Sequence, residues 1–217
     1  MNSMLRVAIN GYGRIGRVAH RVIIQSHSEE IEVVAINAGS STDIKGWMYL
    51  LKYDSVYGPI PSQVSFKPNT DTSKPDLIGY FIVSEKEIPV YSQKDATKLP
   101  WRDHDVDVLL ESTGAYTRLE KLQAHISAGA KSVILSAPAK GGNVPTYVLS
   151  VNDEKYAGED IINNASCTTN CITPVAKVIE ETFGIEKAMM TTIHGFTSDQ
   201  RLEDGGHKDY RRARAAS

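Results

Sequence analysis

The sequence predicts an α/β protein: a doubly wound domain over residues 1–166, followed by the start of an α+β unit over residues 167–217. Three observations carry that expectation. Short apolar runs alternate with amphipathic helical segments, the pattern of a parallel sheet covered on both faces. A glycine-rich turn, GYGRIG, joins the first apolar run to the first helical segment. After Cys167 the rhythm changes to one helix, one long extended segment and a polar tail.

Taken in order, Leu5–Asn10 (LRVAIN) is an apolar run. A helix is expected from Arg14 to about Ser26, with Ile15, Val18, Ala19 and Val22 on one face. Ile31–Ile36 (IEVVAI) completes a β-α-β unit and ends at Asn37. Residues 54–105 hold most of the nine prolines and predict short strands and turns. The α/β rhythm resumes with a strand at Val106–Ser112, a helix from about Thr117 to Ala128 and a strand at Ser132–Leu135. Tyr147–Val151 and Asp160–Asn163 read as two further short strands. A helix is expected from Cys167 to about Phe183, kinked or loosened at Pro174 and stopped by Gly184. Glu186–Phe196 reads as a long strand. A helix and one strand do not close a domain, so the chain reads as cut short. Exposed apolar surface and partial disorder or aggregation are expected beyond about residue 167.

Composition narrows the partners. The 217 residues carry a net charge of −2, with 41% hydrophobic and 23% charged residues. That is ordinary for a globular protein and gives no field that favours nucleic acid. The RRAR stretch near the end stands beside Asp209 on an acidic chain and reads as a phosphate-contacting or solvated loop. No apolar run reaches membrane-span length. No signal peptide is read at the start, and the two cysteines fit no disulfide framework, so a reducing, cytoplasmic setting is expected.

The turn GYGRIG places Gly11, Gly13 and Gly16 between a strand and a helix. The first glycine permits a tight turn, the second lets backbone approach a pyrophosphate, and the third lets helix and strand pack closely. This predicts a Rossmann-type dinucleotide site. Cofactors of that class with a free ribose 2′-hydroxyl usually meet an acid at the end of the second strand. Here that end reads Asn37, Ala38, Gly39, Ser40, Ser41, Thr42, and the first acid is Asp43, expected inside the next helix. Missing repulsion against a 2′-phosphate leans the reading towards NADP over NAD. The alternative is that Asn37 and backbone amides hold NAD adequately.

The stretch NNASCTTNCITP carries Cys167 and Cys171. A zinc clip lacks a second ligand pair, so no metal is expected. A disulfide at helical i,i+4 spacing is opposed by geometry. A thiol at a helix N-terminus is favoured as a thiolate, and the neighbouring N–H groups can stabilise an oxyanion. Cys167 is therefore read as a nucleophile, with a buried structural thiol as the alternative, and Cys171 as a buried small hydrophobe. A nucleophilic cysteine needs a base. His194, near the end of the extended segment after the cysteine helix, is the candidate. His20, His27, His104, His125 and His207 read as surface residues.

INGYGRIGR, LLKYDS, ESTG, LSAP, ASCTTNC, TTIHGFTSDQ and HKDYRRARAA occur in this order and resemble the phosphorylating glyceraldehyde-3-phosphate dehydrogenase family along the whole chain. The resemblance implies a Rossmann domain and the start of an α+β catalytic domain. It implies that Cys167 attacks the aldehyde to give a thiohemiacetal, with His194 as base. Hydride transfer to NAD or NADP then leaves a thioester that inorganic phosphate cleaves. It assigns substrate or phosphate contacts to Ser166, Thr168, Thr197 and Arg212, and cofactor contacts to Arg14, Ile15, Lys94 and Ser136. Ala38 stands where NAD-dependent members usually carry aspartate. A homotetramer is implied for a complete chain. Two rival readings are the related erythrose-4-phosphate dehydrogenase, against which Thr197 argues, and a cofactor-binding fragment without catalysis.

Overall fold

The computed structural model describes residues 4–142 and 144–216. They divide into two compact units, residues 1–177 and 178–217, each described by itself.

The first unit is built on a mixed sheet of eight strands in the order β10-β9-β8-β1-β2-β7-β6-β5. These are β1 (Leu5–Asn10), β2 (Ile31–Asn37), β5 (Val64–Pro68), β6 (Leu77–Val83), β7 (Lys86–Tyr91), β8 (Val108–Glu111), β9 (Ser132–Leu135) and β10 (Ile161–Asn163). The stretch from β10 through β7 is parallel; β6 and β5 run antiparallel at one edge. A small antiparallel pair, β3 (Tyr53–Asp54) and β4 (Gly58–Pro59), stands apart. Helices are α1 (Arg14–Ser26), α2 (Ile44–Lys52), α3 (Leu119–Ser127) and α4 (Cys167–Phe183).

The continuous apolar strands are explained by burial on both sides. Ala8, Val34, Leu109 and Val133 pack with Leu122 of α3, Trp101 and Val106 on one face. Ile9, Val33, Ile36 and Phe81 pack with Ile44 and Leu51 of α2, and with Ile23 and Ile24 of α1, on the other. Ala8 and Ile9 of β1, and Val33 and Val34 of β2, feed opposite cores, as the two-residue side-chain period requires.

Several expectations need correction. Tyr147–Val151 forms no strand; Thr146 makes a single bridge to Asn163 and the chain then turns. Asp43 is not inside α2 but caps it, its side chain accepting from the Gly46 N–H at 2.8 Å. Glu186–Phe196 is not a strand; a strand requires a neighbour to take its hydrogen bonds, and this segment has no paired strand among the described residues. α4 runs unbroken across Pro174. Its predicted apolar side is uncovered: Val175, Val178 and Ile179 are exposed, and so is Cys171. Among the described residues no helix is long and apolar enough to cross a membrane, and no cluster of three metal-ligating side chains occurs.

Candidate active site

Three polar residues end three adjacent strands at one level. In the ladder Asn10 of β1 pairs with Asn37 of β2 and with Glu111 of β8. All three are buried to 2% exposure or less. Asn37 Nδ2 donates to Asn10 Oδ1 at 2.7 Å and to the Gln93 carbonyl at 2.8 Å, while its Oδ1 accepts from the Gln93 N–H at 3.0 Å. Asn10 Nδ2 donates to Glu111 Oε2. Glu111 Oε1 accepts from the Thr113 N–H at 2.8 Å and from the Thr113 hydroxyl. His125 of α3 also reaches Glu111 Oε2, at 3.1 Å. This network pins the carboxyl ends of the strands, where ligands of doubly wound folds bind. The Asn37 amide is engaged inside the protein, holding the turn that carries Lys94, while the residue also lines the cavity described below. The histidine expectation also needs correction. His20 and His125 are buried, because α1 and α3 turn them onto Tyr12 and Glu111.

The glycine turn fits a diphosphate. Gly11 has φ +94°, and a Cβ there would lie 2.6 Å from the Thr113 nitrogen. A Cβ on Gly16 would lie 2.2 Å from the Gly11 carbonyl oxygen, so α1 packs on the turn through bare backbone. Gly13 differs: a Cβ there would meet nothing within 4 Å. It is the N-cap of α1, supplies no capping side chain, and is followed by no acid in the first turn. The helix therefore offers its unsatisfied N–H groups to open space, the arrangement that receives a phosphate. Arg14 and Ile15 are exposed at this end of the helix. The Arg14 guanidinium pairs with Asp54 and lies 5.6 Å from the Tyr57 ring centre. Burial pulls the Asp54 carboxyl upward, but the Tyr57 and Val56 N–H groups and Arg14 outweigh it and hold the pKa at about 2.

Beside this turn a cavity of about 570 Å³ is lined by Asn37, Gly39, Ser40, Lys94, Thr113 and Tyr116, among others. It brings Lys94 together with the end of β2. Ala38 packs into the apolar core beside Ile9 and Ile36, and its N–H donates to the Tyr91 carbonyl at 2.8 Å. Ser136 stands at the end of β9, its N–H donating to the Glu111 carbonyl at 3.0 Å. A larger cavity, about 700 Å³, opens near Arg6, Glu32, Lys86 and His104 and contains none of the sequence-predicted residues. Its charges largely neutralise one another, as in the pairs Arg6–Glu32 and Lys86–Glu32.

Cys167 is the first residue of α4 and is exposed. It follows a sharp turn out of β10. Ala165 in that turn has φ +57°, a left-handed conformation that costs a non-glycine residue about 1 kcal/mol. The Ser166 hydroxyl accepts from the Thr169 N–H at 3.0 Å and so caps the helix. Thr168 lies half-buried in the first turn.

The second unit carries the remaining predicted residues. His194 is exposed, its Nδ1 2.7 Å from the Gly195 carbonyl oxygen. The Thr197 hydroxyl donates to Gln200 Oε1 at 3.3 Å. The Arg212 guanidinium pairs with Asp199. The His207 hydrogen bond and Arg212 outweigh burial and hold the Asp199 carboxyl below its ordinary range.

Residues 5–119 match the glyceraldehyde 3-phosphate dehydrogenase NAD binding domain, and residues 166–217 match the C-terminal domain of the same family. The chain belongs to the glyceraldehyde 3-phosphate dehydrogenase family. It is 48% identical over 215 residues to the glyceraldehyde-3-phosphate dehydrogenase of Thermotoga maritima, covering 99% of this chain and 61% of that protein. To the enzyme of Clostridium acetobutylicum it is 48% identical over 217 residues, covering 99% and 60%. To the chloroplastic B enzyme of Pisum sativum it is 46% identical over 215 residues, covering 98% and 45%. The chain thus spans about 60% of the length of the first two relatives.

Sequence reasoning did not single out Asn10, Glu111, Thr113, Asn163 or Asn170, and it read His125 as a surface residue. The one available signal was an acid or amide at the end of an otherwise apolar strand.

Proposed function

We propose that this chain carries the cofactor-binding part and the nucleophile of a phosphorylating glyceraldehyde-3-phosphate dehydrogenase. The observation that carries the reading is Cys167 at the first turn of a capped helix, within the segment matched to the family's C-terminal domain. The helix dipole and the first-turn N–H groups favour its thiolate and an oxyanion on the bound aldehyde carbon.

In this reading the Cys167 sulfur attacks the aldehyde of glyceraldehyde 3-phosphate, and His194 accepts the proton of the resulting thiohemiacetal hydroxyl as hydride departs. The nicotinamide, when bound, supplies the hydride acceptor. The thioester left on Cys167 is cleaved by inorganic phosphate, releasing 1,3-bisphosphoglycerate and the thiolate. Ser166, Thr168, Thr197 and Arg212 hold the phosphate groups. Gly11, Gly13 and Gly16, with Arg14 and Ile15, hold the diphosphate end of the cofactor, and Ser136 makes a further cofactor contact.

NADP is favoured over NAD. Ala38 contributes no carboxylate against a 2′-phosphate, and Ser40 and Lys94 share one cavity wall with the end of β2. A cytoplasmic setting and a homotetramer for the complete protein go with this reading.

The test is formation of reduced nicotinamide from glyceraldehyde 3-phosphate and inorganic phosphate, with NAD⁺ and NADP⁺ in parallel and Cys167→Ser as control. Phosphate-dependent turnover that vanishes in the serine variant supports the reading. If this chain is silent but a version extended to the length of its relatives turns over, the reading holds only for the longer protein. Silence of both sinks it.

A further inference from the structure

The turn between β10 and α4 is braced from both sides by asparagine side chains. On the strand side, Asn163 is 1% exposed. Its Oδ1 accepts from the Ala165 N–H at 3.0 Å, and its Nδ2 reaches the Val144 carbonyl at 3.0 Å and the Thr146 hydroxyl at 2.8 Å. On the helix side, Asn170 Nδ2 donates to the Asn164 carbonyl at 2.7 Å and to the Ser166 carbonyl at 3.0 Å. Between the two braces stands Ala165, buried, with φ +57°. A non-glycine residue stays in that region only when its surroundings over-determine it, and such positions gather at functional sites. Asn164 is itself anchored, its N–H donating to the Leu135 carbonyl of β9 at 2.9 Å. The sheet, the left-handed residue and the helix start are therefore one connected unit, and Cys167, two residues after Ala165, is the first residue of that helix.

We propose that Asn163 and Asn170 are positioning residues that hold Ala165 left-handed and thereby fix the Cys167 sulfur at the helix N-terminus. The inference rests on Cys167 being the nucleophile. Neither asparagine touches the reacting atoms; each acts through the backbone of residues 164–166. Without the helix-side brace Ala165 relaxes towards negative φ, and the thiol leaves the N–H groups that favour its ionised form.

The test is alkylation by iodoacetamide, followed separately at Cys167 and Cys171 by peptide mass spectrometry. The thiolate displaces iodide, a sulfur–carbon bond replacing the carbon–iodine bond, while the thiol proton goes to buffer. In the unaltered chain Cys167 reacts faster than Cys171. Asn170→Ala slows Cys167 by about tenfold, the loss of roughly two hydrogen bonds, and leaves Cys171 unchanged. Adding Ala165→Gly to Asn170→Ala restores at least half of that loss on a logarithmic scale, because glycine takes positive φ without the Cβ penalty. A purely structural role for Asn170 gives no such rescue. Circular dichroism and a thermal melt establish that each variant is folded; should Asn170→Ala not fold, Asn170→Ser with the same glycine rescue takes its place. A Cys167 rate within twofold of the unaltered chain in Asn170→Ala, or a slowed rate that glycine does not rescue, overturns the inference and leaves the nucleophile reading standing. Equal rates at the two cysteines in the unaltered chain overturn the nucleophile reading, and the inference with it.

Discussion

The indole N–H of Trp101 donates to Nδ1 of His125 at 3.2 Å, with both residues fully buried. An indole nitrogen can only donate, so Nδ1 is the acceptor and the ring proton sits on Nε2. That proton points at Glu111 Oε2, 3.1 Å away. The Glu111 side chain accepts at both oxygens: from His125 and Asn10 on one, and from Thr113 on the other. A buried carboxylate surrounded by donors is tolerable; the same carboxylate with one donor replaced is not.

Glu111→Gln follows directly. Its amide must turn an NH₂ group towards an existing N–H donor whichever way it is placed: towards Asn10 and His125 on one side, or towards the Thr113 backbone N–H on the other. The variant is expected to lose about 3 kcal/mol of stability, measured by urea unfolding. NAD(P) affinity should fall with it, because the Thr113 turn lines the crevice. An unchanged unfolding midpoint would remove the network from the account of the fold.

Two of the three glycines of the GYGRIG turn separate folding from binding. Gly16→Ala drives a Cβ against the Gly11 carbonyl and should lower the melting temperature. Gly13→Ala meets only open space and has an ordinary backbone, φ −70° and ψ −159°, so its melting temperature should hold. Its methyl fills the place of the diphosphate, and calorimetric titration should show NAD(P) affinity reduced by tenfold or more, about 1.4 kcal/mol. Normal affinity in Gly13→Ala would mean that the diphosphate lies elsewhere.

These contrasts mark what was legible in the sequence. β1 and β9 stand where hydrophobic periodicity put them, because each buries apolar residues against neighbours inside the first unit; α1 has the expected span, but Ile15 and Val22 of its expected apolar face are exposed, and the helix buries Gly16, His20 and Arg21 instead. Glu186–Phe196 has the composition of a strand but no paired strand among the described residues, and strand formation depends on pairing more than on propensity. The glycine pattern announced the tight turn at Gly11 and the bare-backbone packing at Gly16, since both are written in the residue type. His125 and Glu111 gave no such notice. A histidine on an amphipathic helix reads as surface, and only the fold reveals that α3 turns it onto the one acid at the end of β8.

His20 gives the fold a pH dependence. Its Nδ1 lies 2.6 Å from the Tyr12 hydroxyl, and burial lowers its pKa from an ordinary 6.5 to about 3. Between those values the unfolded chain binds a proton that the folded one does not. Stability therefore rises with pH across this window, and is lost as pH falls from 6.5 towards 3, by up to about 1.4 kcal/mol per pH unit. Asp54 works in a lower window: its depressed pKa contributes stability above about 4 that fades as pH drops towards 2. Urea unfolding at several pH values should show His20→Gln with a shallower slope between pH 6 and 4, and Asp54→Asn altered only below that. Parallel slopes for His20→Gln and the unaltered chain would assign the acid sensitivity to other groups.

Ala38→Asp tests the cofactor preference at a single residue. Ala38 directly follows the second strand and precedes Gly39 and Ser40, which line the cavity with Lys94. A carboxylate introduced there would repel a 2′-phosphate, and it would accept hydrogen bonds from the free hydroxyls of an unphosphorylated ribose. Two like charges at about 4 Å near a protein surface cost on the order of 4 kcal/mol before screening, so a loss of NADP⁺ affinity of at least thirtyfold is expected. NAD⁺ affinity should stay level or improve. Burial adds a second expectation: Ala38 packs against Ile9 and Ile36, so the variant should also melt at a lower temperature. Calorimetric titration with both cofactors, at low and high salt, separates the two effects. Repulsion weakens with added salt and acts on NADP⁺ alone, whereas a disturbed core weakens both cofactors alike. Equal losses for NAD⁺ and NADP⁺ at every salt concentration would mean that residue 38 does not read the 2′ position.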